Sequence, residues 1–184
     1  MFVREKKRKN KKYAYLVENV WTEKGTRQRV KKYLGKVISI KDEQPSQIRV
    51  DELLNKSAGE FVKAIIKDEL IKKGFREKNS KLIKGEIEFD RETNEIRENN
   101  QRVVLKSNEG FLCRETVEEL IKFIKKQKEK NYENRAKIMK ELAKKFLEAG
   151  LPANENYFII LGDKIIKKKT MQTEREEDEQ EFYY

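Results

Sequence analysis

The spacing of apolar residues changes period part-way along the chain, and that change limits what it can fold into. From Phe2 to Leu34, apolar and polar residues alternate in runs broken by short polar turns, the two-residue period of strands with one wet face. Phe2 to Lys9 reads as one strand, Asn10-Lys11-Lys12 as a turn, and Tyr13 to Trp21 as a second strand rich in aromatic and β-branched residues. Thr22 to Thr26 supplies the next turn, Arg27 to Leu34 a third strand, and Gly35 its stop. From Ser57 the period becomes helical. Ser57-Ala58-Gly59-Glu60 matches a capping box, and Phe61, Val62, Ile65, Ile66, Leu70 and Ile71 form one stripe that ends near Gly74.

Beyond Gly74 the two periods mix. Lys81 to Asp90 and Arg102 to Lys106 read as strands around a polar turn at Arg91 to Asn94. Thr116-Val117-Glu118-Glu119 offers another capping box, opening a helix with Val117, Leu120, Ile121 and Ile124 inward. A further helix carries Tyr132, Ala136, Met139, Leu142, Ala143, Phe146 and Leu147 and stops at Gly150 and Pro152, and the apolar runs on either side of Gly162-Asp163 read as a terminal hairpin. The expected class is α+β: a small basic antiparallel β meander over 1–41, a linker over 42–56 around Pro45, a helix-containing α+β body over 57–170, and a disordered acidic tail over 171–184.

Composition narrows the function. The chain has no histidine and one cysteine, so a Cys/His zinc site, a disulfide within the chain and a histidine base are all excluded. Cys113 is expected as a buried structural thiol, in keeping with a reducing cytoplasm. No apolar run approaches the length of a membrane span and the first residues lack a signal-peptide core, so a cytoplasmic protein without membrane contact is expected. Neither a Walker A loop nor G-x-G-x-x-G occurs. Glu86, Glu88 and Asp90 alternate along one segment and would suit a metal-dependent carboxylate nuclease, but alternating Glu is more often the wet side of a strand. The expectation is a non-enzyme with no cofactor.

Charge is the most informative feature. Of the formal net charge of +11, residues 1–40 contribute thirteen Lys/Arg against Glu5, Glu18 and Glu23, a net +10, whereas residues 173–184 carry six acids against Arg175. Clustered cations neutralise phosphates and release condensed counterions, which makes the first segment a candidate nucleic-acid surface. Arg4, Lys6, Lys7, Arg8, Lys9, Lys11 and Lys12 surround the first turn, and Arg27, Arg29, Lys31 and Lys32 lie on the third strand, where Arg27, Arg29 and Lys31 share a face. Tyr13, Tyr15 and Trp21 share another face and could stack on bases, although a sheet this small needs an apolar face, and Tyr13 and Tyr15 are expected mostly in the core. Lys122, Lys125, Lys126, Lys128 and Lys130 form a second cluster, expected as a solvated helix face. The acidic tail is expected to compete for the basic surface, and Phe182-Tyr183-Tyr184 to offer a protein partner an aromatic anchor.

The segment from Tyr13-Ala14-Tyr15-Leu16-Val17-Glu18 through Gly25 to Arg27-Gln28-Arg29-Val30 and Tyr33-Leu34-Gly35 resembles the amino-terminal region of insertion-sequence transposases of the DDE type. The resemblance covers about the first 36 residues. It implies a head that handles nucleic acid and tilts the expectation slightly toward duplex DNA over structured, including ribosomal, RNA. The rest of the chain is too short for the transposase catalytic domain and shows no spaced Asp, Asp, Glu set, so strand transfer is not implied. That remainder resembles small uncharacterised archaeal proteins. The competing reading is a protein–protein interaction adaptor.

Overall fold

The computed structural model describes residues 1–127, 135–152 and 154–165. In chain order the elements are β1 (Phe2–Arg8), β2 (Lys11–Thr22), β3 (Gly25–Ser39), α1 (Val50–Leu54), α2 (Ala58–Lys72), β4 (Arg76–Lys78), β5 (Lys81–Lys84), β6 (Ile87–Asp90), β7 (Ile96–Glu98), β8 (Gln101–Ser107), β9 (Gly110–Leu112), α3 (Arg114–Gln127) and α4 (Arg135–Glu148). Residues 155–165 are also helical. The fold is α+β. Among the described residues one mixed sheet runs β1-β2-β3-β8-β7-β6-β5-β4, with β9 paired to β8.

Strands β1, β2 and β3 form the expected antiparallel meander, β1 ending one residue early at Arg8 and β2 and β3 longer than the sequence suggested. Gly35 does not stop β3. The strand runs on to Ser39 and joins β8 in parallel, Lys36 beside Val103 and Val37 beside Val104. At Gly35 the backbone has φ +130°, and a Cβ there would collide with the Arg102 carbonyl, so glycine marks close approach of two strands rather than a turn. Residues 42–49 lie against α2: Glu43 and Gln44 donate backbone N–H bonds to the Lys72 carbonyl, and Asp68 accepts from Ser46 Oγ and the Gln47 and Ile48 amides.

Two apolar clusters occupy opposite faces of β8. Val103 and Leu105 belong to the larger one, with Phe61, Val62, Ile65, Ile66 and Leu70 of α2, Val117, Leu120 and Ile124 of α3, and Leu142 and Phe146 of α4. Val104 faces the other way, with Ala14, Leu34, Val37 and Cys113, and Val3, Leu16 and Phe111 pack on this smaller cluster. The sheet curls over it. Two strands separate β1 from β8, yet Lys106 Nζ of β8 lies 3.7 Å from Glu5 Oε2 of β1.

Helix α2 starts at the expected capping box, Ser57 accepting from the Glu60 amide while Glu60 accepts from the Ser57 amide. Two expectations are corrected. Helix α3 opens at Arg114, not at Thr116, whose hydroxyl turns back to donate to the Phe111 carbonyl at 2.7 Å. The terminal hairpin is instead the helix over 155–165. Tyr157, Leu161 and Ile165 recur every four residues and are buried, and the Asn154 side chain accepts from the Asn156 amide at its start. Gly162 is not a turn but a contact point, since a Cβ there would meet Met139 Sδ of α4 at 2.9 Å.

Candidate nucleic-acid interface

The register of the meander sorts its side chains onto two faces. Phe2, Arg4, Lys6 and Arg8 of β1 stand opposite Val17, Tyr15, Tyr13 and Lys11 of β2, so these eight share a face. Across β2 and β3, Tyr13 pairs with Lys36, Tyr15 with Tyr33, Val17 with Val30, Asn19 with Gln28 and Trp21 with Thr26, which extends that face onto β3. The other face carries Val3, Glu5 and Lys7 of β1, Lys12, Ala14, Leu16, Glu18 and Val20 of β2, and Arg27, Arg29 and Lys32 of β3.

Register shifts between Ala14 and Tyr15 and between Leu16 and Val17 leave Leu34 and Lys31 as extra residues on β3. Each bulge puts two neighbours on one side. Lys31 thereby joins Lys32 on the second face, where it meets Glu18 at 2.9 Å, and Leu34 reaches the small cluster with Ala14. The same shift returns Tyr33 to the first face.

Charge is segregated accordingly. The strand acids of the meander, Glu5 and Glu18, both lie on the second face and are engaged: Lys12 with Glu5 at 2.8 Å, Lys31 with Glu18. Lys32 reaches Glu115 of α3 at 2.6 Å. On the first face Arg4, Lys6, Arg8 and Lys11 have no carboxylate partner among the described residues. Arg4 donates to Gln28 Oε1 across β2, and Lys6 Nζ sits 5.5 Å from the centre of the Tyr15 ring. Lys36 meets Glu98 at 2.8 Å, at the edge nearest the body.

The aromatic residues lie on this acid-free face. Tyr33 of β3 lies against Tyr13 and Tyr15 of β2, with ring centres 6.2 and 5.5 Å away. It is 54% exposed, and Trp21, near the end of the β2–β3 hairpin, is 82% exposed. Partial burial, then the neighbouring Tyr13 and Tyr15, raise the Tyr33 pKa, so its hydroxyl stays neutral beside the cations. Tyr13 and Tyr15 are only half buried and belong to neither apolar cluster, which corrects the expectation that they are core. Ala14, Leu16 and Leu34 pack the small cluster in their place.

Of the sequence-derived basic set, the structure therefore gathers Arg4, Lys6, Arg8 and Lys11 on one face. Lys7, Lys12, Arg27, Arg29, Lys31 and Lys32 fall on the other, and Lys9 sits in the β1–β2 turn with φ +53°. Tyr33 and Lys36 complete the first face and were not singled out from the sequence. Plain alternation from Thr26, opposite Trp21, puts Tyr33 on the second face, and the bulge that returns it to the first leaves no mark in the pattern.

The remaining candidates are separated by the fold. Glu86 lies in the β5–β6 turn and accepts from Asn99 Nδ2, Glu88 pairs with Lys81, and Asp90 accepts from the Glu92 and Thr93 amides. Cys113 is buried and its thiol pKa is pushed up to about 11 by burial, which the Thr116 hydrogen bonds only partly oppose. Lys122, Lys125 and Lys126 lie on α3, whereas Lys128, Lys130, the tail over 171–184 and its Phe182-Tyr183-Tyr184 lie outside the described residues. Among the described residues no helix is long and apolar enough to cross a membrane. Compared with family models, curated proteins and solved structures, the chain matches none.

Proposed function

We propose that this chain is a non-catalytic, cytoplasmic nucleic-acid-binding protein that docks through its basic meander. The observation that carries this reading is the segregation of charge: the meander's strand acids sit on one face beside lysines, leaving Arg4, Lys6, Arg8 and Lys11 together on a face without an acid. A row of cations about 7 Å apart along a strand, every second residue at ~3.4 Å rise, suits a regularly charged phosphate backbone. The likeness of the first 36 residues to a transposase head lends the same support.

Deleting residues 1–41 would be a poor test, because β3 is hydrogen-bonded to β8 and the meander covers the small cluster. Charge reversal at Arg8 and Lys11, both exposed, leaves the packing in place. Titrations of the full chain against labelled duplex DNA, single-stranded DNA and structured RNA over a salt series are expected to show affinity falling steeply with salt. The Arg8→Glu/Lys11→Glu variant should lose at least tenfold in affinity at low salt and flatten the salt slope by about two contacts. Equal affinity and equal slope in the variant would reject the reading.

A further inference from the structure

Resting on that reading, the geometry points to an unpaired nucleic-acid strand as the occupant of this face, held by base stacking on Tyr33 and Trp21 with phosphates on the Arg4, Lys6, Arg8 and Lys11 row. Electrostatics alone would not separate a duplex from a single strand, since both present phosphates. The aromatic residues do. In a duplex the flat faces of the bases are covered by their neighbours, so rings on a protein surface have nothing to stack on, whereas an unpaired strand can splay its bases onto them.

Three features make these rings a platform rather than a hydrophobic core. They belong to neither apolar cluster. Tyr33 packs against two rings of the neighbouring strand, Tyr13 and Tyr15, and still exposes about half its surface, so it is supported without being covered. Trp21 lies six residues along β2 from Tyr15, about 20 Å at ~3.4 Å per residue, which spaces a second stacking point along the same face.

Beside the rings stand cations, with Lys6 already at cation–π distance from Tyr15. Charge complementarity thus selects an anionic chain and exposed rings select one with open π-faces. Stacking and phosphate contacts use nothing that distinguishes ribose from deoxyribose, so DNA and RNA strands should bind alike.

Trp21 is the only tryptophan in the chain, which makes its fluorescence a direct reporter of the face. The full-length protein is titrated with short oligo(dT), oligo(U) and a duplex of the same length at equal ionic strength. Quenching of Trp21 by both single strands is expected, with affinities within a few-fold of each other and at least tenfold tighter than for the duplex. Tyr33→Ala should weaken single-strand binding about tenfold and leave duplex binding unchanged, while Tyr33→Phe, which keeps the ring, should bind as the parent does; circular dichroism checks that both variants are folded. Duplex binding as tight as single-strand binding, or a folded Tyr33→Ala variant with undiminished single-strand affinity, would overturn this inference while leaving the broader reading standing. A strong preference for only one sugar would overturn its sugar-blind form. Failure of every nucleic acid to bind at low salt would overturn the broader reading itself.

Discussion

Lys73 Nζ donates to Glu69 Oε1 over 2.8 Å with side chains only 5% and 1% exposed, a buried ion pair one helical turn apart at the end of α2. Glu69 Oε1 also accepts from Ser107 Oγ at 2.8 Å, which ties α2 to the end of β8, and Lys73 also reaches Asp42 at 2.7 Å. Burial by itself pushes the Glu69 carboxyl up, but the Lys73 and Ser107 hydrogen bonds and the charges of Lys73 and Lys72 outweigh it and leave the pKa lowered. The network thus joins the segment after β3, the helix of the main core and the strand that carries the meander.

Removing one member of such a pair leaves an uncompensated charge in the interior, whereas removing both need not be costly. Glu69→Ala should therefore destabilise the fold by about 3 kcal/mol, because Asp42, half exposed, can satisfy Lys73 only in part. The double variant Glu69→Ala/Lys73→Met should recover much of that loss. Urea unfolding of the three proteins tests this, and strictly additive losses would show that the pair is not coupled.

A second prediction concerns acid stability. Hydrogen bonds from Arg97, then Arg102 and Arg114, pull the Glu95 pKa down to about 2, overcoming the opposing effect of partial burial. The folded pKa lies below the ordinary carboxylate value of about 4.3, so this group contributes stability that is complete above that value and fades as the pH falls toward 2. Glu95→Gln should be less stable than the parent at neutral pH, and the gap should close between about pH 4.5 and pH 2. Thermal unfolding of both proteins across this range is the measurement, and a gap independent of pH would separate Glu95's role from its charge.

Much of the fold is legible in the sequence where one period and one terminus signal agree. The stripe of α2 and its Ser57–Glu60 box coincide, and the three meander strands carry a clear two-residue period. Reading fails where a residue has two uses. Gly35 and Gly162 look like turn glycines, but each lies against another chain segment, 67 and 23 positions away in the sequence: Gly35 against the Arg102 backbone, which cannot give way, and Gly162 against the movable end of the Met139 side chain. Thr116 resembles a cap, yet its hydroxyl serves the β9 backbone from inside the helix.

The candidate site is only partly legible as a surface. Net charge over the first forty residues identifies the region, and alternation along β1 and β2 sorts Glu5 and Glu18 away from Arg4, Lys6, Arg8 and Lys11, whereas the placing of Lys32, Tyr33 and Leu34 on β3 depends on two bulges. Without them Lys31 and Lys32 would point to opposite sides, and strict alternation predicts that for any sequence. The odd-numbered row of Arg27, Arg29 and Lys31 was read correctly as sharing a face. That face also holds Glu18, so it is the even-numbered row of β1 that is left without an acid.

The last prediction separates the two ways in which a glycine can be required in the meander. Gly25 and Gly35 both have positive φ, +95° and +130°, so any L-residue at either position is strained. At Gly25, in the β2–β3 hairpin, nothing lies within 4 Å of where a Cβ would be, and Gly25→Ala should cost only that strain, about 1 kcal/mol. At Gly35 the added methyl would in addition meet the Arg102 carbonyl and crowd Val103 Cα, both backbone atoms that cannot swing aside. Relief requires β3 to move away from β8, which breaks the parallel pairing of Lys36 with Val103 and opens the small cluster around Val104. Gly35→Ala should therefore destabilise by roughly 3 kcal/mol or more, and amide exchange should show the loss of protection concentrated in β3 and β8 rather than at the hairpin end. Equal costs at the two glycines would mean that β3 and β8 do not approach as closely as Gly35 implies.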